Sequence, residues 1–169
     1  SITVSDEKTK QLEAEIAKLE KTRQSLREAV ALANATAGAP HRIEFQAGLG
    51  GAIALASEIR ITSSLTIAGP GATTLALDGG GTTRLLRVER SGGEPRNVAI
   101  SGLTLRNGRA DTGGALRGYD DNLSLFAVIF TGNEATWRGG AIHFAEADLS
   151  LDAVTLAGNR APSTGQGAG

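Results

Sequence analysis

Three stretches decide the fold: Val98-Ala-Ile-Ser-Gly-Leu-Thr-Leu-Arg-Asn-Gly108, Leu123-Ser-Leu-Phe-Ala-Val-Ile-Phe-Thr-Gly-Asn133 and Leu149-Ser-Leu-Asp-Ala-Val-Thr-Leu-Ala-Gly-Asn159. They align without gaps at offsets of 25 and then 26 residues. Inside each, short apolar runs such as Leu123–Leu125 and Val128–Phe130 are broken by Gly, Asn or Asp. Runs this short, alternating with period two, specify strands rather than helices. A second marker keeps the same step: Gly113-Gly-Ala-Leu116, Gly139-Gly-Ala-Ile142 and a weaker Gly165-Gln-Gly-Ala168 recur every 26 residues. A repeat of roughly 20–50 residues is the signature of a solenoid or similar array. Three short strands and three turns close one coil, and equivalent strands of successive coils then stack in parallel about 4.8 Å apart. The prediction is a mainly β fold, a right-handed parallel β-helix.

Residues 43–88 carry the same texture less regularly. Ile43–Phe45, Ile53–Leu55, Ile59–Ile61, Leu65–Ile67, Leu75–Leu77 and Leu85–Val88 are separated by Gly-rich turns, which brings the expected number of coils to about five. Each Gly-Gly pair suits a sharp corner, because Gly tolerates positive φ and close backbone approach. Asn133 and Asn159 fall at equivalent corners. There they are expected to form a structural ladder from coil to coil, since Asn tolerates left-handed geometry and can bond to its stacked neighbour.

The chain divides sharply near residue 40, into segments 1–40 and 41–169. Residues 1–34 contain no Gly or Pro, whereas all 23 Gly and all 4 Pro lie at or after Gly38. All four lysines (Lys8, Lys10, Lys18, Lys21) fall in the first part. A short strand, Ile2–Val4, and a helix from about Asp6 to Asn34 are expected there. Ser5 or Asp6 serves as N-cap, and Gly38 and Pro40 serve as stop signals. Leu12, Ile16, Leu19, Leu26 and Val30 form a heptad seam interrupted by Arg23. From Leu26 the stripe broadens to include Ala29, Ala31, Leu32 and Ala33, as burial against a surface requires. The segment Leu26–Ala33 thus reads as the cap of the solenoid. The segment Glu7–Arg23 either lies on its own domain or protrudes to bind another helix.

A formal net charge of −1 gives no electrostatic case for nucleic acid. No apolar run reaches the ~20 residues of a membrane span. The absence of Cys excludes disulfides, thiolate metal sites and a Cys nucleophile. The absence of Met points to a chain cleaved from a longer precursor, or to an excised piece.

The segment Ser25-Leu-Arg-Glu-Ala-Val-Ala-Leu-Ala-Asn34 resembles the opening of a bacterial secreted family named for its Cys-Ser-Leu-Arg-Glu-Ala motif. Ile43-Glu-Phe45, Leu65-Thr-Ile-Ala-Gly-Pro-Gly-Ala-Thr-Thr74 and Leu75-Ala-Leu-Asp-Gly79 look like the same family's next segments. The Gly-Gly-Ala and Phe130-Thr-Gly-Asn133 elements resemble repeats of chlamydial polymorphic outer-membrane proteins. The resemblance covers roughly residues 25–160. It implies a bacterial secreted or cell-surface β-helix, often adhesive, and supplies no catalytic residues. Gln24 stands where the family motif has Cys, and Glu7–Gln24 departs from the family pattern altogether. That stretch reads as an insertion, natural or engineered, with its own oligomerising role.

Polysaccharide lyases and hydrolases also use this fold, and their chemistry needs clustered carboxylates with a basic partner. The candidates are Asp111, Asp120, Asp121, Glu134, Arg109, Arg117 and Arg138, which are expected mostly at turns and solvated corners. Arg109, Glu134 and Arg160 occupy equivalent positions and read as a surface stack worth little per pair. His143 alternates with Ile142 and Phe144, so it is expected to face solvent, and no metal pairing with His41 is apparent. Trp137 and Tyr119 lie near the Gly-Gly corners, where they either cover the core edge or stack on sugars. No catalytic, cofactor or metal site is assigned. At the C-terminal end Thr164–Gly169 begins another coil, which is completed either by a longer solenoid or by a second subunit. The functional expectation is a structural solenoid that self-associates as a homo-oligomer or head-to-tail filament. Glycan-binding adhesin and polysaccharide-cleaving enzyme are the alternatives.

Overall fold

The computed structural model describes residues 23–38, 40–90 and 92–162. The expected Ile2–Val4 strand, the seam residues Leu12, Ile16 and Leu19, and the Gly165–Ala168 marker lie outside the described residues. One helix, α1 (residues 23–35), precedes sixteen short strands.

The strands wind as stacked coils. The first sheet is β1 (His41–Glu44), β4 (Leu65–Ala68), β7 (Asn97–Ser101), β11 (Asn122–Phe126) and β15 (Leu149–Asp152), paired in that order. The second is β2 (Gly51–Ala54), β5 (Leu75–Asp78), β8 (Thr104–Arg106), β12 (Ile129–Thr131) and β16 (Thr155–Ala157). The third is β3 (Ile59–Ile61), β6 (Leu86–Glu89), β10 (Leu116–Tyr119) and β14 (Ile142–Ala145). Every pairing is parallel, and β11 meets β7 and β15 in the register that aligns Leu123 with Val98 and Leu149. The result is a β-solenoid of four complete coils, with β15 and β16 opening a fifth. The alignment of the three opening stretches is therefore the physical stacking register. A fourth ladder, absent from the three-strand reading, pairs β9 (Arg109–Thr112) with β13 (Glu134–Arg138).

Alternation builds the core. Ile53, Leu77, Leu105 and Phe130 are successive inward rungs of the second sheet, and all are buried. In the third sheet, Gly118 occupies the inward position opposite Phe144. A Cβ at residue 118 would lie only 2.0 Å from the Phe144 ring, so the absent side chain makes room for an aromatic one rung above.

Each corner is turned by one left-handed residue, and these residues stack. Gly102 (φ 60°), Ala127 (φ 51°) and Ala153 (φ 52°) form one column; Asn107 (φ 52°), Gly132 (φ 63°) and Gly158 (φ 62°) form another. Gly113 and Gly139 form a third, and Asp120 (φ 57°) with Glu146 (φ 55°) a fourth. The corner N–H groups continue the ladder: Gly102 donates to Phe126 O and Ala127 to Asp152 O. The column therefore holds even where Ala or Glu must accept a conformation that costs about 1–2 kcal/mol. The asparagine expectation needs one correction. The left-handed residues are Gly132 and Gly158, while Asn133 and Asn159 follow them with side chains directed at the neighbouring coil.

Helix α1 covers the first coil through Leu26, Val30 and Ala33, all buried in the common core. Ala31 and Leu32 are exposed, so the buried stripe is narrower than the sequence suggests. The backbone of β3 explains why. Arg27 donates to Ser57 O (2.8 Å) and Glu58 O (3.1 Å), and Asn34 donates to Arg60 O (2.8 Å) and accepts from Thr62 N (2.9 Å). Two side chains on one helix face thus bond the backbone along the edge of a strand that has no earlier strand beside it among the described residues.

Candidate functional site

The polar residues resolve into an internal lock, a buried ladder and one outward cationic face. The lock is Arg84, only 7% exposed. Its Nη1 meets Glu58 Oε2 at 2.7 Å, its Nη2 meets Asp111 Oδ1 and Thr112 O at 2.8 Å each, and its Nε donates to Thr112 O (3.1 Å) and Gly113 O (3.0 Å). One guanidinium therefore ties the corners of the first, second and third coils. By register Arg84 stands where later coils place Gly114 and Gly140. Those glycines are required by contact, since a Cβ on Gly114 would lie 2.4 Å from Gly140 O. The missing Gly-Gly before Leu85 was the available signal for Arg84, and sequence reasoning passed over it. Asp111, a carboxylate candidate, is engaged by this lock. Burial alone would raise its pKa, but the Thr112 N–H and the Arg84 charge hold it below the ordinary carboxylate value.

Asn133 is fully buried. Its Oδ1 accepts from Gly108 N at 2.8 Å, and its Nδ2 donates to Leu105 O (3.0 Å) and Asn159 Oδ1 (2.9 Å). Asn159 Oδ1 also accepts from Asn133 N (3.1 Å), and Asn159 Nδ2 donates to Phe130 O (3.0 Å). Each amide repeats the same bonds one coil later. Arg109 and Glu134 are in register 3.7 Å apart, and Glu134 also bridges Arg160 through the backbone.

Asp121 is buried, with Oδ1 accepting from Arg96 N at 2.6 Å and Oδ2 unpartnered. Burial raises its pKa above 3.8, against the lowering effect of the Arg96 N–H and charge. The native state then holds this proton more tightly than the unfolded chain, so the group's contribution to stability falls as pH rises above the unfolded value. Asp121→Asn keeps an acceptor for Arg96 N and removes the charge. Denaturant midpoints are expected to show the variant gaining on wild type as pH rises above the ordinary aspartate value. A gap that stays constant with pH would refute the assignment.

The outward face of the third sheet carries a cationic row. Arg60, Arg87, Arg117 and His143 are consecutive rungs. Two rungs are neutralised: Arg60 lies 3.4 Å from Glu89, and Arg87 lies 3.0 Å from Glu89 and 3.7 Å from Glu58. Arg117 has no hydrogen bond or ion pair among the described residues. His143 is half-buried rather than solvent-facing, and its Nδ1 is buried without a partner. Burial, with Arg117 and Arg138 adding repulsion, lowers its pKa. An open groove of about 480 Å³ lies between β6 and β10 on this face, with Arg87, Arg117, Tyr119 and the Arg90–Asp120 pair (2.6 Å) in its walls. Tyr119 is 52% exposed, and the nearby Glu146 carboxylate raises the pKa of its hydroxyl. Trp137, 56% exposed, lies outside this groove with the Arg138 guanidinium 4.3 Å above its ring. His41 sits on the first sheet, its Nε2 3.1 Å from Thr36 O. Among the described residues no group of His, Asp and Glu could hold a metal ion, and no helix is long and apolar enough to cross a membrane.

No protein-family model, curated protein or solved structure matches this chain. What its own residues define is a parallel β-solenoid with an internal polar lock, a helical cover at one end and one cationic face.

Proposed function

We propose that the protein is a structural β-solenoid, secreted or displayed at a bacterial surface, that self-associates through the open edge of its last described coil. The observation that carries this reading is a layer of leucines. Leu149, Leu151 and Leu156 are 41%, 47% and 50% exposed, while the rungs beneath them, Leu123, Leu125 and Phe130, are at 1%, 2% and 0%. Beside them runs a row of strand N–H and C=O groups without a further strand among the described residues. Apolar side chains flanking an open strand edge form a template for another chain.

The first coil supports a closed association rather than a filament. Arg27 and Asn34 already occupy the β3 edge. Head-to-tail growth would need that edge free, whereas two copies meeting at their leucine edges close on themselves as an isologous pair. Leu151→Lys places a charge in the proposed contact. It is expected to weaken association at least about tenfold in sedimentation equilibrium. Unchanged association in that variant would sink the proposed contact.

The enzymatic alternative is less well supported. Asp111 pairs with Arg84 and Asp120 with Arg90, Glu134 lies 3.7 Å from Arg109, and Asp121 accepts from Arg96 N, so the expected carboxylates are engaged in structural contacts. The cationic face favours a second, binding role.

A further inference from the structure

We infer that the groove on the outward face of the third sheet is a binding site for an extended acidic polysaccharide of uronic-acid type, with Arg117 as its anion contact and Tyr119 as its stacking platform. This goes beyond self-association and uses a different surface.

The charge inventory of the groove singles out Arg117. Its walls hold three arginines, Arg87, Arg90 and Arg117, and two carboxylates, Glu89 and Asp120. Glu89 is taken by Arg87 at 3.0 Å and Asp120 by Arg90 at 2.6 Å. That leaves Arg117 with no hydrogen bond or ion pair among the described residues, attracted only at longer range by Asp111, in a row whose next rung is His143. A guanidinium presents a planar fork that matches a carboxylate with two parallel bonds. Surface arginines are commonly solvated, but this one shares the groove with the half-exposed ring of Tyr119. An aromatic ring has few rotatable bonds to fix on binding, so it is suited to an apolar sugar face.

The geometry favours a polymer of moderate charge. Rungs repeat about every 4.8 Å along the solenoid, close to the length of one pyranose unit, so a glycan running across the coils keeps step with the row. The paired carboxylates on both sides of Arg117 repel a ligand with a charge at every bond. Nucleic acid binding rests on many neutralised phosphates, and this face offers one uncommitted guanidinium.

The test is titration of the full chain with tetragalacturonate, followed by calorimetry and by backbone amide NMR. Binding is expected, with shifts centred on residues 117–119 and 143. Arg117→Gln should weaken it at least about tenfold, as loss of a charge-assisted bond implies. Arg117→Lys should recover part of that loss, and Tyr119→Ala should weaken binding severalfold. Arg42→Gln, an equal charge change on the first sheet, should leave it unchanged. Because the Arg117 head has no hydrogen bond or ion pair among the described residues, thermal unfolding of the Gln variant should match wild type and exclude misfolding as the cause. The proposal is overturned by absence of binding, by equal binding of an uncharged tetrasaccharide, or by indifference to Arg117→Gln. A preference for a sulfated tetrasaccharide or a single-stranded oligonucleotide would overturn the ligand class.

Discussion

Replacing Arg84 with Met is expected to destabilise the protein by about 3–5 kcal/mol, the range for removing one partner of a buried ion pair. Methionine fills much of the space, so packing is not the main loss. The loss is electrostatic. Glu58 would lose its closest guanidinium and keep only the longer contacts to Arg60 (3.6 Å) and Arg87 (3.7 Å), and Thr112 O and Gly113 O would lose their donor. The partners lie in the first and third coils, on either side of Arg84, so the damage is not local. Chemical denaturation should show a large fall in midpoint, and hydrogen exchange should show faster opening at Leu85, Leu86 and Ala115, whose amides lie beside the lock. A double variant, Arg84→Met with Glu58→Gln, should recover part of the loss, because it removes the charge that has lost its closest partner. Surface pairs such as Arg42–Glu44, both well exposed, should give less than about 1 kcal/mol on the same assay.

Asn133→Ala is expected to cost about 3 kcal/mol. The side chain is the partner of Gly108 N and Leu105 O, both inside the stack, and each buried group left unsatisfied costs roughly 1–3 kcal/mol. Asn133→Asp should separate the two bonds. It preserves an acceptor for Gly108 N but turns the donor towards Leu105 O into a second acceptor, so the variant should be worse than Ala above the carboxylate pKa and improve on acidification. Asn159→Ala removes the amide from the outermost described coil, where fewer groups are buried, and should cost less. Denaturant midpoints of the three variants rank these effects; equal losses at residues 133 and 159 would contradict the ladder.

Much of this architecture is legible in the sequence because a solenoid repeats its physics. The 25- and 26-residue offsets of the Leu-Ser-Leu and Gly-Gly-Ala markers translate directly into register. Asn133 and Asn159 announce themselves by recurrence. Three features escaped for physical reasons. The β9–β13 ladder is short and bulged between Ala135 and Arg138, so it lacks a period-two signal. The left-handed corners at Ala127, Ala153 and Glu146 use residues that do not advertise positive φ. Arg84 replaces a glycine at a corner rather than recurring, and a repeat search discards what appears once.

The cationic row was partly readable. The residue after the first inward Leu or Ile of each third-sheet strand is Arg60, Arg87, Arg117 or His143. Charge balance was not readable, because Glu89 and Glu58 reach the row from different strands. Only the three-dimensional pairing separates Arg117 from its neighbours. The helical cover shows the same limit. Leu26 and Val30 follow from periodicity, whereas the use of Arg27 and Asn34 to pair the β3 edge depends on where the helix lies.

The most direct test of the central claim, that this solenoid works by joining its leucine edges, is small-angle X-ray scattering over a concentration series. The account predicts a limiting particle of twice the monomer mass whose long dimension grows along the solenoid axis while its cross-sectional radius stays constant, with the Leu151→Lys protein remaining monomeric. A scattering profile that stays monomeric at every concentration, or a mass that rises without limit, would contradict it.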